Sequence, residues 1–377
     1  MPADALAFRP VLALQRSQAL RLVVANMNKT PIEWADYSSN PIRALNPEIN
    51  YRGHYCEKVS PGCHRCYAST QNGAGHYPMS STGVAYPAYP PGTKLPVPEA
   101  RGRLEHYLNL NELRTWLNPN LKGKTIFPCD MTDLFGAWVS DEWLDIIFAH
   151  MALSSATFLV LTKRPERMRE YMTTGVLGSR WVTIEGQAQN ILHAKGWPEH
   201  DVVNYSVKLP LPNVILMVSV ENQRWADIRI PQLLATPAAA YGLSCEPLLG
   251  ALDLTRYLWP RLGSNYQGPF VDWVIAGGES AGPAKRALVE RCDHTFADQG
   301  ALYTFSNADA CEFCHGTGPR PKPEALEWVR SLRDQCVAAG VPFFFKQWPI
   351  PPHKPGGPAL IDGREWREFP VVVKGTT

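Results

Sequence analysis

The sequence predicts an α/β fold, a partial or full parallel (βα) barrel. Short apolar runs rich in branched and aromatic residues recur along the chain, and each closes on polar residues. Each is followed by a stretch with helical spacing, the rhythm of a parallel βα array. Runs that alternate polar with apolar residues are few, which disfavours an antiparallel sandwich.

Seven segments are candidate strands: 32–37, 125–129, 157–161, 214–220, 240–245, 271–276 and 341–345. The helices between them carry readable starts. Ser140 followed by Asp141 and Glu142 predicts a capped helix with Trp143, Ile146, Ile147, His150 and Met151 on one face. Pro165 stands where a first helical turn tolerates it. Pro323 opens a helix over 324–339 whose Leu326, Val329, Leu332 and Cys336 form one stripe, and Gly340 ends it.

Two segments interrupt the array. Residues 72–100 are crowded with Gly, Pro and Tyr and lack helical periodicity, which predicts an irregular lid loop over the barrel mouth. Residues 291–322 form an insertion before the last helix. The organisation read from the sequence is an N-terminal extension at 1–27, the barrel at 28–348 and a C-terminal tail at 349–377.

Composition narrows the function classes. With 37 Lys plus Arg against 35 Asp plus Glu, the net charge of +2 announces no global field for nucleic acid. Thirty-four prolines in 377 residues are roughly twice ordinary usage and point to long ordered loops. The nine cysteines are unevenly clustered and odd in number, unlike a secreted disulfide framework. Nowhere do ~18 apolar residues run together, and no lysine- or arginine-led apolar segment opens the chain. A cytoplasmic protein without membrane spans is therefore expected.

The most chemically specific feature is Cys56, Cys63 and Cys66, spaced C-x6-C-x2-C. Pro61 and Gly62 shape a turn before the last pair, so three sulfurs can converge on one loop. Three thiolates are what an iron–sulfur cluster with one open iron requires, and an open iron separates a cluster that does chemistry from one that passes electrons. Zinc is the alternative, with His54 or His64 completing a tetrad. Cys129 and Cys245 close apolar strands and read as small buried hydrophobes. No H-E-x-x-H pair is present, so a hydrolytic metalloprotease is not supported.

Several motifs together carry a family resemblance. Thr30-Pro31-Ile32-Glu33-Trp34, Lys58-Val59-Ser60-Pro61-Gly62-Cys63 and Leu161-Thr162-Lys163-Arg164-Pro165-Glu166-Arg167-Met168 resemble the phage Gp37/Gp68-like, three-Cys-motif (DUF5131) family. So do Ser219-Val220-Glu221-Asn222, Glu246-Pro247-Leu248-Leu249-Gly250, Gly277-Gly278-Glu279-Ser280 and Phe343-Phe344-Phe345-Lys346-Gln347-Trp348. The match runs from about residue 28 to 348. The family is similar to divergent radical S-adenosylmethionine enzymes, although three extra residues separate the first two cysteines from the usual C-x3-C-x2-C. The resemblance implies a barrel of the radical SAM type and a 4Fe-4S cluster on Cys56, Cys63 and Cys66. It also implies S-adenosylmethionine as cofactor and an electron donor such as a flavodoxin or ferredoxin.

Polar residues gather where the predicted strands end, the place where reactive groups collect in such folds. Asp130, Asp133, Ser219, Glu221, Asn222, Gly277, Gly278, Glu279, Ser280 and Lys346 are the candidate cofactor-binding residues. The ammonium, carboxylate and ribose hydroxyls of S-adenosylmethionine need such acidic, cationic and short polar partners. Cys245, Glu246 and Lys163 are the candidate catalytic residues, Cys245 as a radical-relay thiol.

Within the insertion, Cys292, His294, Cys311 and Cys314 have the make-up of a closed tetrahedral zinc site, a cross-link for a segment too small to bury its own core. The expected activity is reductive cleavage of S-adenosylmethionine to a 5'-deoxyadenosyl radical that modifies a nucleic-acid base or nucleotide. Lys163, Arg164, Arg167 and Arg169 are the candidate phosphate contacts for that DNA or nucleotide substrate. The alternatives are a zinc-stabilised nucleic-acid-binding or adaptor protein without catalysis, and a repair lyase acting on damaged pyrimidines.

Overall fold

The computed structural model describes residues 27, 29–46, 51–66, 68, 104–174, 179–258, 268–278, 288–291, 295–298, 301–304, 319–348 and 359–374. Its centre is a seven-stranded, all-parallel sheet. The strands are β1 (Tyr37–Ser39), β5 (Thr125–Pro128), β6 (Thr157–Thr162), β7 (Val214–Ser219), β8 (Ala240–Cys245), β9 (Trp273–Ala276) and β14 (Phe343–Phe345). They are neighbours in chain order, so the winding never reverses direction. Right-handed crossovers then place every crossover helix on the same face of the sheet. The sheet curls into a half-barrel, with β1 and β14 as its edges.

The helices between the strands are α1 (Leu110–Thr115), α2 (Asp141–Leu153), α3 (Pro165–Thr173), α4 (Ser179–Ala194), α5 (Glu199–Val203), α6 (Gln223–Leu234) and α7 (Pro323–Ala339). Three of them start as the sequence predicts. Ser140 accepts a bond from the Trp143 amide at 3.3 Å and so caps α2, and Pro165 and Pro323 occupy first turns. Gly340 ends α7 in the left-handed region at φ 70°. On α2 the buried face runs through Leu144, Ile147, Phe148 and Met151, while Trp143 and Ile146 lie half-buried at its border.

Two cores result from the alternation of side chains along the strands. Phe158, Val160, Leu216, Val218 and Leu243 face the helices. Phe127, Leu159, Ile215, Met217 and Ile275 face the concave side, where Trp34 covers them. The segment predicted as a first strand at 32–37 is thus corrected. The paired strand begins only at Tyr37, and Ile32 to Ala35 form a strap whose apolar side chains fill the curl instead of joining the ladder. A second strap comes from the segment read as a C-terminal tail. Phe369 packs on Trp273 and Phe344, Trp273 donates its indole N–H to the Glu368 carbonyl at 2.9 Å, and Arg367 pairs with Glu33 at 3.0 Å.

Smaller elements decorate this frame. A three-stranded antiparallel sheet comprises β2 (Ile42–Asn46) between β3 (Tyr51–Gly53) and β4 (Glu105–Leu108). In the predicted insertion, β10 (Val289–Arg291) pairs antiparallel with β13 (Pro319–Pro321), and β11 (Thr295–Asp298) with β12 (Ala301–Thr304). The two ends of the insertion are therefore side by side. Its four predicted zinc ligands, Cys292, His294, Cys311 and Cys314, lie outside the described residues, as does the predicted lid at 72–100. The hairpin β15 (Leu360–Ile361) to β16 (Arg364–Glu365) turns through Asp362 and Gly363, both at positive φ (53° and 75°), as a two-residue type I′ turn demands. A last helix, α8 (Val371–Lys374), follows.

Candidate metal centre

The segment 54–66 leaves β3 and crosses the carboxyl ends of three consecutive parallel strands. After β5, the Thr132 hydroxyl donates to the Tyr55 carbonyl. After β6, Arg164 stands 3.5 Å from the Glu57 carboxylate and stacks over Trp138 at 5.1 Å. After β7, the buried Glu221 carboxylate accepts from the Ser60 hydroxyl. Behind the segment, His54 donates to the Ile42 carbonyl and accepts from Arg43 at 2.9 Å, and its burial pulls its pKa down to about 4.

Within this segment Pro61–Arg65 forms a short 3-10 helix with Ser60 at its N-cap. The Ser60 side chain makes no capping bond; its hydroxyl donates to Glu221. Cys56, Cys63 and Cys66 precede, occupy and follow this turn, and all three are half-buried. Cys56 and Cys66 pack beside Met131 and Ala68. Burial pushes the Cys56 thiol well above its ordinary range, and Asp133, Cys66 and Cys63 add to that effect, so the three sulfurs share one electrostatic neighbourhood.

Three thiols on one loop are donors that could hold a metal group. The other described cysteines, Cys129, Cys245 and Cys336, are buried in the helix-facing core, which leaves three sulfurs and no fourth at this corner among the described residues. Among the described residues no three His, Cys, Asp or Glu side chains already stand at metal-holding spacing.

Around the loop the predicted polar residues divide by what they touch. Asp133 receives the Thr162 hydroxyl (2.7 Å), the Lys163 amide (3.0 Å) and the Phe135 amide (3.0 Å), tying the β5 and β6 ends together. Asn222 caps α6 through the Trp225 amide at 3.3 Å. Asp130 accepts from the Asn40 side chain, and burial raises its pKa. It follows Cys129, whose φ of 63° is rare for a non-glycine residue and swings the chain back over the strand ends. Lys163 Nζ donates to Ser219 Oγ at 2.8 Å and lies 3.9 Å from Glu221, with 23% of its side chain exposed at the mouth.

A second corner forms between β8 and β14. Glu246 Oε2 accepts from the Trp34 indole at 3.1 Å, and Lys346 Nζ lies 3.1 Å from Oε1. Gly277 permits this approach, since a Cβ there would come 3.0 Å from Glu246 Oε1. Gly278 is buried beside it, and Glu279 and Ser280 lie outside the described residues. Cys245 is wholly buried in the helix-facing core, and burial raises its thiol pKa well above the ordinary value.

Sequence reasoning assigned no role to Ser60, Glu57, Trp34 or Arg229, which the structure brings into these corners. Arg229 had a legible signal. It falls on the α6 face that carries Ala226, Ile230 and Leu233, and a charge within an apolar stripe announces a buried partner.

The fold and site define a class, an α/β half-barrel whose carboxyl mouth carries a three-cysteine loop. The chain belongs to the DUF5131 family, described as a protein of unknown function, whose model matches residues 29–305 and 313–370. No curated protein and no solved structure matches it. Among the described residues no helix is long and apolar enough to cross a membrane.

Proposed function

We propose that this chain is a radical S-adenosylmethionine-like iron–sulfur enzyme. The observation that carries the reading is the three-thiol loop pinned across the carboxyl ends of β5, β6 and β7, the active edge of a parallel βα fold. Cys56, Cys63 and Cys66 would hold a 4Fe-4S cluster. Such a cluster, when bound, supplies the electron that cleaves S-adenosylmethionine reductively to a 5'-deoxyadenosyl radical.

The chain's own residues have separate tasks in this reading. Lys163, partly exposed beside Ser219, is the cation suited to a ligand carboxylate. Glu246 and Lys346 present opposite charges at the far corner, where a ligand ammonium and a polar substituent can be matched. Trp34 and Phe369 fill the concave face, which keeps water from the floor of the site.

A nucleic-acid base or nucleotide is the proposed substrate class. Of the four expected phosphate contacts, Arg164 is paired with Glu57 and Arg167 with Asp141, and Lys163 serves the ligand carboxylate in this reading. Phosphate recognition would then fall to Arg169 or to residues outside this group. Zinc on Cys292, His294, Cys311 and Cys314 is proposed for the insertion, whose ends β10 and β13 hold together. A flavodoxin or ferredoxin is the proposed electron donor.

The test is turnover. Anaerobically reconstituted protein given dithionite and S-adenosylmethionine is expected to release 5'-deoxyadenosine, and the Cys63→Ala variant is not. A colourless protein that carries zinc at both cysteine groups and releases none would establish the non-catalytic adaptor instead.

A further inference from the structure

Glu221 is completely buried, yet it faces the cysteine loop with three partners. Oε1 accepts from the Ser60 hydroxyl, Oε2 accepts from Arg229 Nη1 at 3.0 Å, and Lys163 Nζ stands 3.9 Å away. Arg229 is 1% exposed. It also donates to the Ser219 carbonyl at 2.7 Å and stacks over Trp225 at 4.1 Å, so it fixes the end of β7 as well as the carboxylate.

The loop lies directly on that carboxylate. A Cβ at Gly62 would come 2.6 Å from Glu221 Oε1 and 2.8 Å from its Cγ, closer than real contacts allow, and Gly62 has no positive φ to explain its choice otherwise. Ser60 Oγ is also 3.8 Å from Cys63 Sγ. Because the Ser60 proton goes to the carboxylate, the hydroxyl oxygen is left to accept from the Cys63 thiol. A charge pair taken wholly out of water carries a large desolvation penalty and is weak evidence for stability by itself. Its placement under a ligand loop gives it a different use.

We infer that Glu221, held by Arg229, is the positioning residue of the cysteine loop: it docks the Ser60 to Cys63 turn on the end of β7 and so fixes where the Cys63 sulfur sits at that corner. The value of this placement rests on reading the trio as a metal-holding site; the docking does not.

Substituting Glu221 alone would leave Arg229 buried without its counter-charge, so the test works from the loop side. In the reduced, metal-free chain, Gly62→Ala and Ser60→Ala are expected to raise the iodoacetamide alkylation rate of Cys63 relative to Cys56 by about tenfold, the consequence of losing one hydrogen bond to a charged group. Ser60→Thr keeps the hydroxyl and is expected to restore the wild-type ratio and to unfold close to wild type, while Gly62→Ala and Ser60→Ala unfold at lower temperature yet stay folded at the temperature of the alkylation. An unchanged Cys63 ratio in both Gly62→Ala and Ser60→Ala overturns the inference. Iron uptake on reconstitution is read separately. A wild-type chain that takes up no iron while Gly62→Ala still shifts Cys63 reactivity removes the cluster reading and leaves the docking standing. Normal iron uptake with unshifted Cys63 reactivity does the reverse.

Discussion

Trp34 donates its indole N–H to Glu246 Oε2 at 3.1 Å, joining residues 212 positions apart in the chain, while Lys346 holds the other carboxylate oxygen. The N-terminal strap, the end of β8 and the end of β14 thereby meet at one carboxylate. Trp34→Phe keeps the ring packed on Phe127, 4.9 Å between centroids, and removes only the N–H. The expected loss in stability is about 1–3 kcal/mol, the cost of leaving a half-buried carboxylate short of a donor, as read by urea unfolding.

Gly277→Ala tests the same corner as a ligand pocket. The added methyl group would come 3.0 Å from Glu246 Oε1 and 3.3 Å from Lys346 Cβ, so the pair must part slightly. Affinity for S-adenosylmethionine, measured by calorimetry on reconstituted protein, is expected to fall about tenfold, corresponding to ~1.4 kcal/mol. Unchanged affinity would place the corner outside the pocket.

The helix layer holds a charge network of its own. Arg180 spans Asp141 and Asp145, and Tyr171 donates to Asp145 at 3.0 Å. Burial raises the Asp145 pKa against the pull of Tyr171 and Arg180. Arg180→Met strips the cation from a carboxylate that is 3% exposed, and the expected loss is about 3–5 kcal/mol by denaturant titration.

His150 sets an acid limit on stability. Buried on α2, with its Nδ1–H donated to the Ile146 carbonyl at 2.8 Å, it has a pKa lowered from 6.5 to about 4. Between these values the unfolded chain binds a proton that the folded chain refuses, so stability falls as pH drops from 6.5 toward 4. The contribution is at most about 3 kcal/mol. His150→Gln is expected to flatten the pH dependence of unfolding in that window, with little change in its slope above pH 7.

Six of the seven parallel strands were legible because their apolar runs are buried on both faces. The segment 214–220 shows the principle: every residue of Val214–Ser219 is buried. The first strand misled for a physical reason. Ile32 and Trp34 are apolar because they plug the curl, a tertiary contact that mimics a strand in composition. The site was legible as a set of residue types at strand ends, and only in part as contacts. Spacing identified Cys56, Cys63 and Cys66 as one loop, but not that Glu221 and Arg164 would be that loop's anchors. Those pairings join positions more than a hundred residues apart, and no local pattern encodes them.

The most direct test of the account is the iron and acid-labile sulfide content of anaerobically reconstituted protein, taken for the wild type and for single alanine variants of Cys56, Cys63 and Cys66. The expected result is about four iron and four sulfide per chain in the wild type, lost in each of these variants and retained when Cys311 or Cys314 is replaced. A wild-type chain that takes up zinc alone, or iron that survives the loss of Cys63, would contradict it.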